Sequence, residues 1–219
     1  PSFRTSPASE VLPVMTASPT IRFAETARPT EGTVVVLCDD QRALGAIGRA
    51  LDEEAGGLLK RAMELAVLTG QRRDDIAAML FKDVYDDHLH IIQAKTGARL
   101  RISTKLRLES LGLELGEVVK ACRDAVVSKH LVHHSRTVSR ATPGMPIMLD
   151  TLTSAFAAAR DRTGIEFGAS PPTFHEMRSL AARLHAAEGR DPQLLLGHKS
   201  AAMTALYRDS RGAEWIDVA

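Results

Sequence analysis

The hydrophobic pattern of the chain changes period several times, and each change marks an element. From about position 39, DDQRALGAIGRALDEE carries apolar residues at 44, 47 and 51, which predicts a helix with Asp39 or Asp40 as its cap. GLLKRAMELAVLTG is apolar almost all round and predicts a buried central helix that ends at Gly70. A short helix follows over roughly residues 72–80. In FKDVYDDHLHIIQAKTGARLRIST the period drops to two, with breaks at Asp86-Asp87 and Thr96-Gly97. This reads as three short antiparallel strands joined by two tight turns, with Lys95 at the tip of the second. Helical spacing returns near 115–127, 150–162 and 173–188, then in two short stretches near 191–196 and 201–207. The fold class expected is α+β: mainly helical, with a small three-stranded antiparallel sheet.

The two ends differ from this body. Residues 1–34 are rich in Pro, Ser, Thr and Ala without a sustained apolar period, and predict an irregular leader or linker. A short docked strand or helix is the alternative there. The final AEWIDVA, residues 213–219, predicts a terminal strand. No internal repeat is visible. Position 1 is Pro; excision from a longer chain and removal of the initiator are both compatible with that.

Composition narrows the class further. A chain of 219 residues, 44% hydrophobic and 25% charged, suits one ordinary globular domain. The net charge of +1 supplies no global field for nucleic acid, so any DNA contact must come from locally clustered Lys and Arg. The two cysteines, Cys38 and Cys122, form no CxxC and no zinc spacing, and fit a reducing cytoplasm, with a single bridge left open. No apolar run approaches the roughly 20 residues of a membrane span, and no signal peptide is visible at the start of the sequence. A cytoplasmic protein without membrane partners is expected.

Candidate chemistry lies in the second half. In PPTFHEMRSL, Thr173 and Glu176 have capping-box spacing, which places His175 in the first helical turn and Arg178 on the same face. A helix N-terminus already favours anions, and an added imidazole and guanidinium suit phosphate. An ordinary solvated helix end explains HxxR equally well in isolation. Arg72 follows a Thr-Gly break that can aim it, with Asp75 placed either to orient it or to extend the helix; a solvated cap is the plain alternative. Lys95 is a solubilising turn charge or a flexible proton donor. In LLLGHKSAAMTALYRD, Gly197 ends one helix, Ser200 can cap the next, His198 sits in the break, and Tyr207 comes about two turns on. A buried tyrosine with a satisfied hydroxyl is the competing reading. His175 and His185 do not form an HExxH pair.

Taken in order, TGQR, AKTG, PPTFHEMRSLAARL, LLLGHKS and YRDSRGAEW resemble the tyrosine recombinases (the phage integrase family), from about residue 39 to the C-terminus. The resemblance implies a catalytic domain over residues 35–212 and a tail that pairs with its own sheet or a neighbouring subunit. It implies that Tyr207 attacks a DNA phosphodiester to give a 3′-phosphotyrosyl link and a free 5′-hydroxyl. Arg72 and Arg178 are then expected to grip the non-bridging oxygens, Lys95 to protonate the leaving 5′-oxygen, His175 to serve as base or proton partner, and His198 to donate to the phosphate. No cofactor, metal or ATP is expected. A tyrosine with a reference pKa of about 10 is a poor nucleophile without such neighbours. Expected partners are double-stranded DNA attachment sites, further copies in a synaptic tetramer, and accessory DNA-bending and directionality proteins, with the protein at the nucleoid when on DNA. With some 34 residues before the match, a complete clamp around DNA is not expected from this chain alone, and affinity should be weak. Type IB topoisomerase-like relaxation and an inert DNA-binding remnant remain the alternatives.

Overall fold

A computed structural model describes residues 57–162, 166–167 and 169–208. The leader at 1–34, the helix expected near 39–54 and the tail strand at 213–219 lie outside the described residues. The central helix, α1 (Leu58–Thr69), is as apolar in place as in sequence: Leu58, Ala62, Leu65, Ala66 and Leu68 are all buried. It ends at Gly70, whose φ of 65° and N–H bond to the Ala66 carbonyl (2.8 Å) form a left-handed cap. A side chain at Gly70 would also meet Leu196 Cδ2 at 2.9 Å, so this position needs glycine twice over.

Helix α2 (Arg73–Ala78) follows at once, and a 3₁₀ turn (Phe81–Asp83) leads into the sheet. Strands β1 (Val84–Tyr85), β2 (His88–Ile92) and β3 (Arg99–Ser103) are antiparallel in that order. The β1–β2 turn uses Asp86 and Asp87 at φ 49° and 57°, a type I′ geometry that short polar side chains tolerate. Register runs from His88 opposite Ser103 to Ile92 opposite Arg99, which turns Leu89, Ile91 and Ile102 inward.

A second ribbon, β4 (Arg107–Leu108) with β5 (Leu113–Glu114), adds to the expected single sheet. Gly112, at φ 61°, lets the chain reverse between its strands. Helix α3 covers Leu115–Ala121 and stops well short of the 127 expected from sequence. The reason is Asp124, whose carboxylate accepts from the Val126 N–H (2.8 Å), pairs with Arg61 (3.0 Å) and meets His133 Nε2 at 3.2 Å. A side chain bonded to its own downstream backbone competes with helix continuation. Cys122, at this helix end, is a buried free thiol whose pKa burial pushes up to about 12.

After an irregular stretch come α4 (Leu149–Asp161), α5 (Glu176–Ala187), α6 (Pro192–Leu196) and α7 (Ala201–Arg208). Helix α5 packs along α1 and contacts α6 and α7. It begins at Glu176, whose N–H bonds the Thr173 carbonyl (3.0 Å), so His175 stands at the N-cap rather than within the first turn. Asp191 caps α6 by accepting from the Gln193 N–H (2.8 Å), with Pro192 at the first helical position and Gly197 (φ 63°) closing the end. Among the described residues, no helix is long and apolar enough to cross a membrane.

Candidate active site

The ends of these elements meet at an open groove of about 580 Å³. Arg72, from the α1–α2 junction, and Lys95, from the β2–β3 turn, line it together with His175, His198 and Tyr207. Arg178 forms the inner wall behind them. The six residues singled out in sequence are therefore gathered at one place, although they span 136 positions (72 to 207, both ends counted).

Arg178 is 1% exposed, so it is a buried cation rather than a surface charge at a helix end. Its guanidinium donates to the Gly70 carbonyl through Nη1 and to the Leu196 carbonyl through Nη2 (2.8 Å). Nη2 also faces His198 Nε2 at 3.0 Å, and the guanidinium carbon lies 5.2 Å from the Tyr207 ring centre. Burial, followed by repulsion from Arg72, lowers its pKa to about 10, while Tyr207 and Asp75 act in the opposite direction. Even so, it stays charged at neutral pH. Packing two arginines against one another is costly unless an anion joins them.

His198 occupies the break after Gly197, as expected, and is 7% exposed. Its Nδ1 lies 3.0 Å from Thr204 Oγ1. Burial first, then Arg178 and Arg72, lower its pKa to about 4, so the ring is neutral at pH 7. Tyr207 is docked against this wall. Its ring centre lies 5.2 Å from that of His198 and 5.9 Å from that of His175, which is itself exposed.

Arg72 is aimed by residues that the sequence reading did not single out. Its Nη1 donates to Gln93 Oε1 (3.1 Å), which also accepts from Thr96 Oγ1 (2.5 Å). Gln93 Nε2 donates to Gln71 Oε1 (2.7 Å) and to the Leu196 carbonyl (2.9 Å). Gln71 Nε2 in turn reaches the carbonyls of Thr69 (2.7 Å) and Leu195 (3.0 Å). Both amides are 1% exposed, and Gln93 makes four hydrogen bonds, the full capacity of its amide group. This hub joins the end of α1, the hairpin carrying Lys95 and the end of α6. Asp75, 4% exposed, accepts from the Ala94 N–H (2.8 Å) and so ties α2 to the same hairpin.

Two further contacts complete the groove. Arg73, also on its lining, donates to Thr153 Oγ1 of α4. Met203 and Phe174 supply apolar walls. Among the described residues, no group of three or more His, Cys, Asp or Glu side chains is placed to hold a metal ion. Chemically, the groove presents fixed hydrogen-bond donors, an exposed amine and a phenol at one point, the arrangement that a phosphate oxyanion and an attacking hydroxyl require.

Known proteins share this arrangement of sequence. The chain is 50% identical over 161 residues to an integrase of Enterobacteria phage P21, which covers 73% of this chain and 42% of that protein. It is 49% identical over 159 residues to the prophage integrase IntE of Escherichia coli (strain K12), covering 72% and 42% respectively. A lambda integrase tetramer bound to a Holliday junction has a subunit that superimposes with a TM-score of 0.68 at 37% identity, over 78% of this chain and 47% of that one. The chain thus spans under half the length of these relatives. The pattern of the phage integrase family itself runs through residues 43–214, containing every residue of the groove described above, and this chain belongs to that family.

Proposed function

We propose that this chain is the catalytic part of a site-specific DNA recombinase that cuts and rejoins DNA through a 3′-phosphotyrosyl intermediate. The observation that carries the reading is the position of Tyr207, packed between two histidines and over Arg178 at a groove that Arg72 and Lys95 also line. In the cleavage step, Tyr207 Oη attacks the scissile phosphorus and gives its proton to His175. The bond from phosphorus to the 5′-oxygen breaks, and Lys95 supplies the proton that the leaving oxygen takes up. Arg72 and Arg178 hold the non-bridging oxygens as charge develops, with His198 beside them. Attack by another strand's 5′-hydroxyl on the phosphotyrosine reverses these transfers and joins new ends, so the bond energy is conserved and neither ATP nor a metal is required.

Double-stranded DNA is the substrate, and strand exchange takes place between copies assembled on it; a lambda integrase tetramer on a Holliday junction supports that assembly. Accessory DNA-bending and directionality proteins would act outside this domain.

The test uses nicked duplexes carrying the attachment core of the genome that encodes the chain. A DNA adduct should survive denaturing electrophoresis with the unmodified protein and be absent with Tyr207→Phe. Exchanged strands identify recombination, whereas relaxation of supercoiled DNA without exchange identifies a topoisomerase. A protein that binds the duplex and never forms the adduct is an inert remnant, and the proposal fails.

A further inference from the structure

Resting on the reading above, we propose that Thr204 is a positioning residue for His198, its hydroxyl holding the imidazole in whichever tautomer the groove requires. Thr204 lies on α7, one turn before Tyr207, and is 4% exposed. The imidazole is held from both sides. Arg178 Nη2 meets Nε2 at 3.0 Å, and Thr204 Oγ1 meets Nδ1 at 3.0 Å.

A guanidinium has only donors. The ring nitrogen facing it must therefore present a lone pair, which places the single proton of the neutral ring on Nδ1, donating to Thr204. In this state His198 is an acceptor that helps to aim Arg178, and its Nε2 has no proton to offer a phosphate. The tautomer must change before His198 can donate to a phosphate oxygen. When such an oxygen takes over the Arg178 N–H, a proton lost from Nδ1 to solvent and one gained at Nε2 leave the ring neutral. A hydroxyl allows this change because it rotates from acceptor to donor. Valine, of the same shape, supports neither tautomer, and serine supports both.

The experiment has two arms, both on the full chain. Long-range nitrogen–proton NMR of histidine-labelled protein at pH 7, with His198→Gln for assignment, should show the His198 proton on Nδ1. A proton on Nε2 overturns the proposal. In the second arm, adduct formation is measured in single turnovers on the nicked duplex at saturating protein. Thr204→Val should slow it about tenfold with DNA affinity unchanged, and Thr204→Ser should stay within about threefold of the parent. A valine variant as fast as the parent, or a serine variant as slow as valine, refutes the positioning role. If the parent chain forms no adduct, the recombinase reading fails, and the NMR spectrum still decides where the His198 proton lies.

Discussion

The two sides of the groove are built on opposite principles. On the inner side, Arg178, His198 and the Gln93 amide that holds Arg72 are at most 7% exposed. Arg178 and Gln93 are tied to backbone carbonyls at the ends of α1 and α6, and His198 is held between Arg178 and Thr204. On the outer side, Lys95 stands exposed at a turn and His175 exposed at a helix cap. The contrast follows the work proposed for each. Groups that stabilise developing charge act best when fixed beforehand, because reorienting them during the reaction would consume the stabilisation. Groups that pass protons must reach an oxygen that moves, and a turn tip retains that freedom.

Substitutions on each side test the contrast. The largest expected effect is from Lys95→Ala: adduct formation should slow by about 10²–10⁴-fold, while stability in urea changes by no more than about 0.5 kcal/mol. A substrate with sulfur in place of the 5′-oxygen should recover much of that rate, since a thiolate departs without a proton. If no recovery occurs, Lys95 does not serve as the acid. Next, Arg178→Lys keeps the charge and removes the fork, and should slow adduct formation by about 10²–10³-fold on oxygen and sulfur substrates alike.

Gln93→Leu should have its main effect on folding. It removes four hydrogen bonds and strands the Gln71 amide oxygen, so a loss of about 2–3 kcal/mol in urea unfolding is expected, with an unchanged denaturant slope. An unaltered midpoint would mean that the hub does not hold the inner wall.

The smallest effect concerns acid. The folded-state pKa of His198 lies at about 4, below the ordinary 6.5, so the unfolded chain binds the proton more readily between those values. Its contribution to stability is present above pH 6.5 and declines as the pH falls toward 4. His185, also lowered by burial, adds to the same slope. Unfolding followed from pH 7 to 4 should show stability falling, and His198→Asn should flatten the decline without abolishing it.

Much of this architecture was legible in the sequence because local chemistry dictated it. Gly70 and Gly197 stop helices where the backbone turns left-handed, and Asp86-Asp87 makes a hairpin from residues that accept positive φ. The six groove residues were legible only through their order along the chain, since each alone had an ordinary explanation. What escaped depends on partners distant in sequence. Gln93 follows Leu89 and Ile91 on the inward side of the β2 pattern, so a polar residue there was a signal of a buried network, but Leu196 and Gln71 could not be read as its partners. The α3 boundary failed for a similar reason, because Arg61 and His133 help to hold Asp124 away from the helix. Thr204 was not singled out, because its burial against His198 depends on how α7 docks.

The Leu196 carbonyl, finally, is a shared reference point. It accepts from Gln93 at 2.9 Å and from Arg178 at 2.8 Å, so the hairpin-side and helix-side arginines are both located from one oxygen. Each mount has a second anchor near the end of α1, Gly70 for Arg178 and Gln71 for Gln93, so α6 and the end of α1 together define where the two guanidinium groups stand. The spacing across which a phosphate must fit is therefore set in part by one carbonyl shared between two side chains, and a change at α6 reaches both arginines through it.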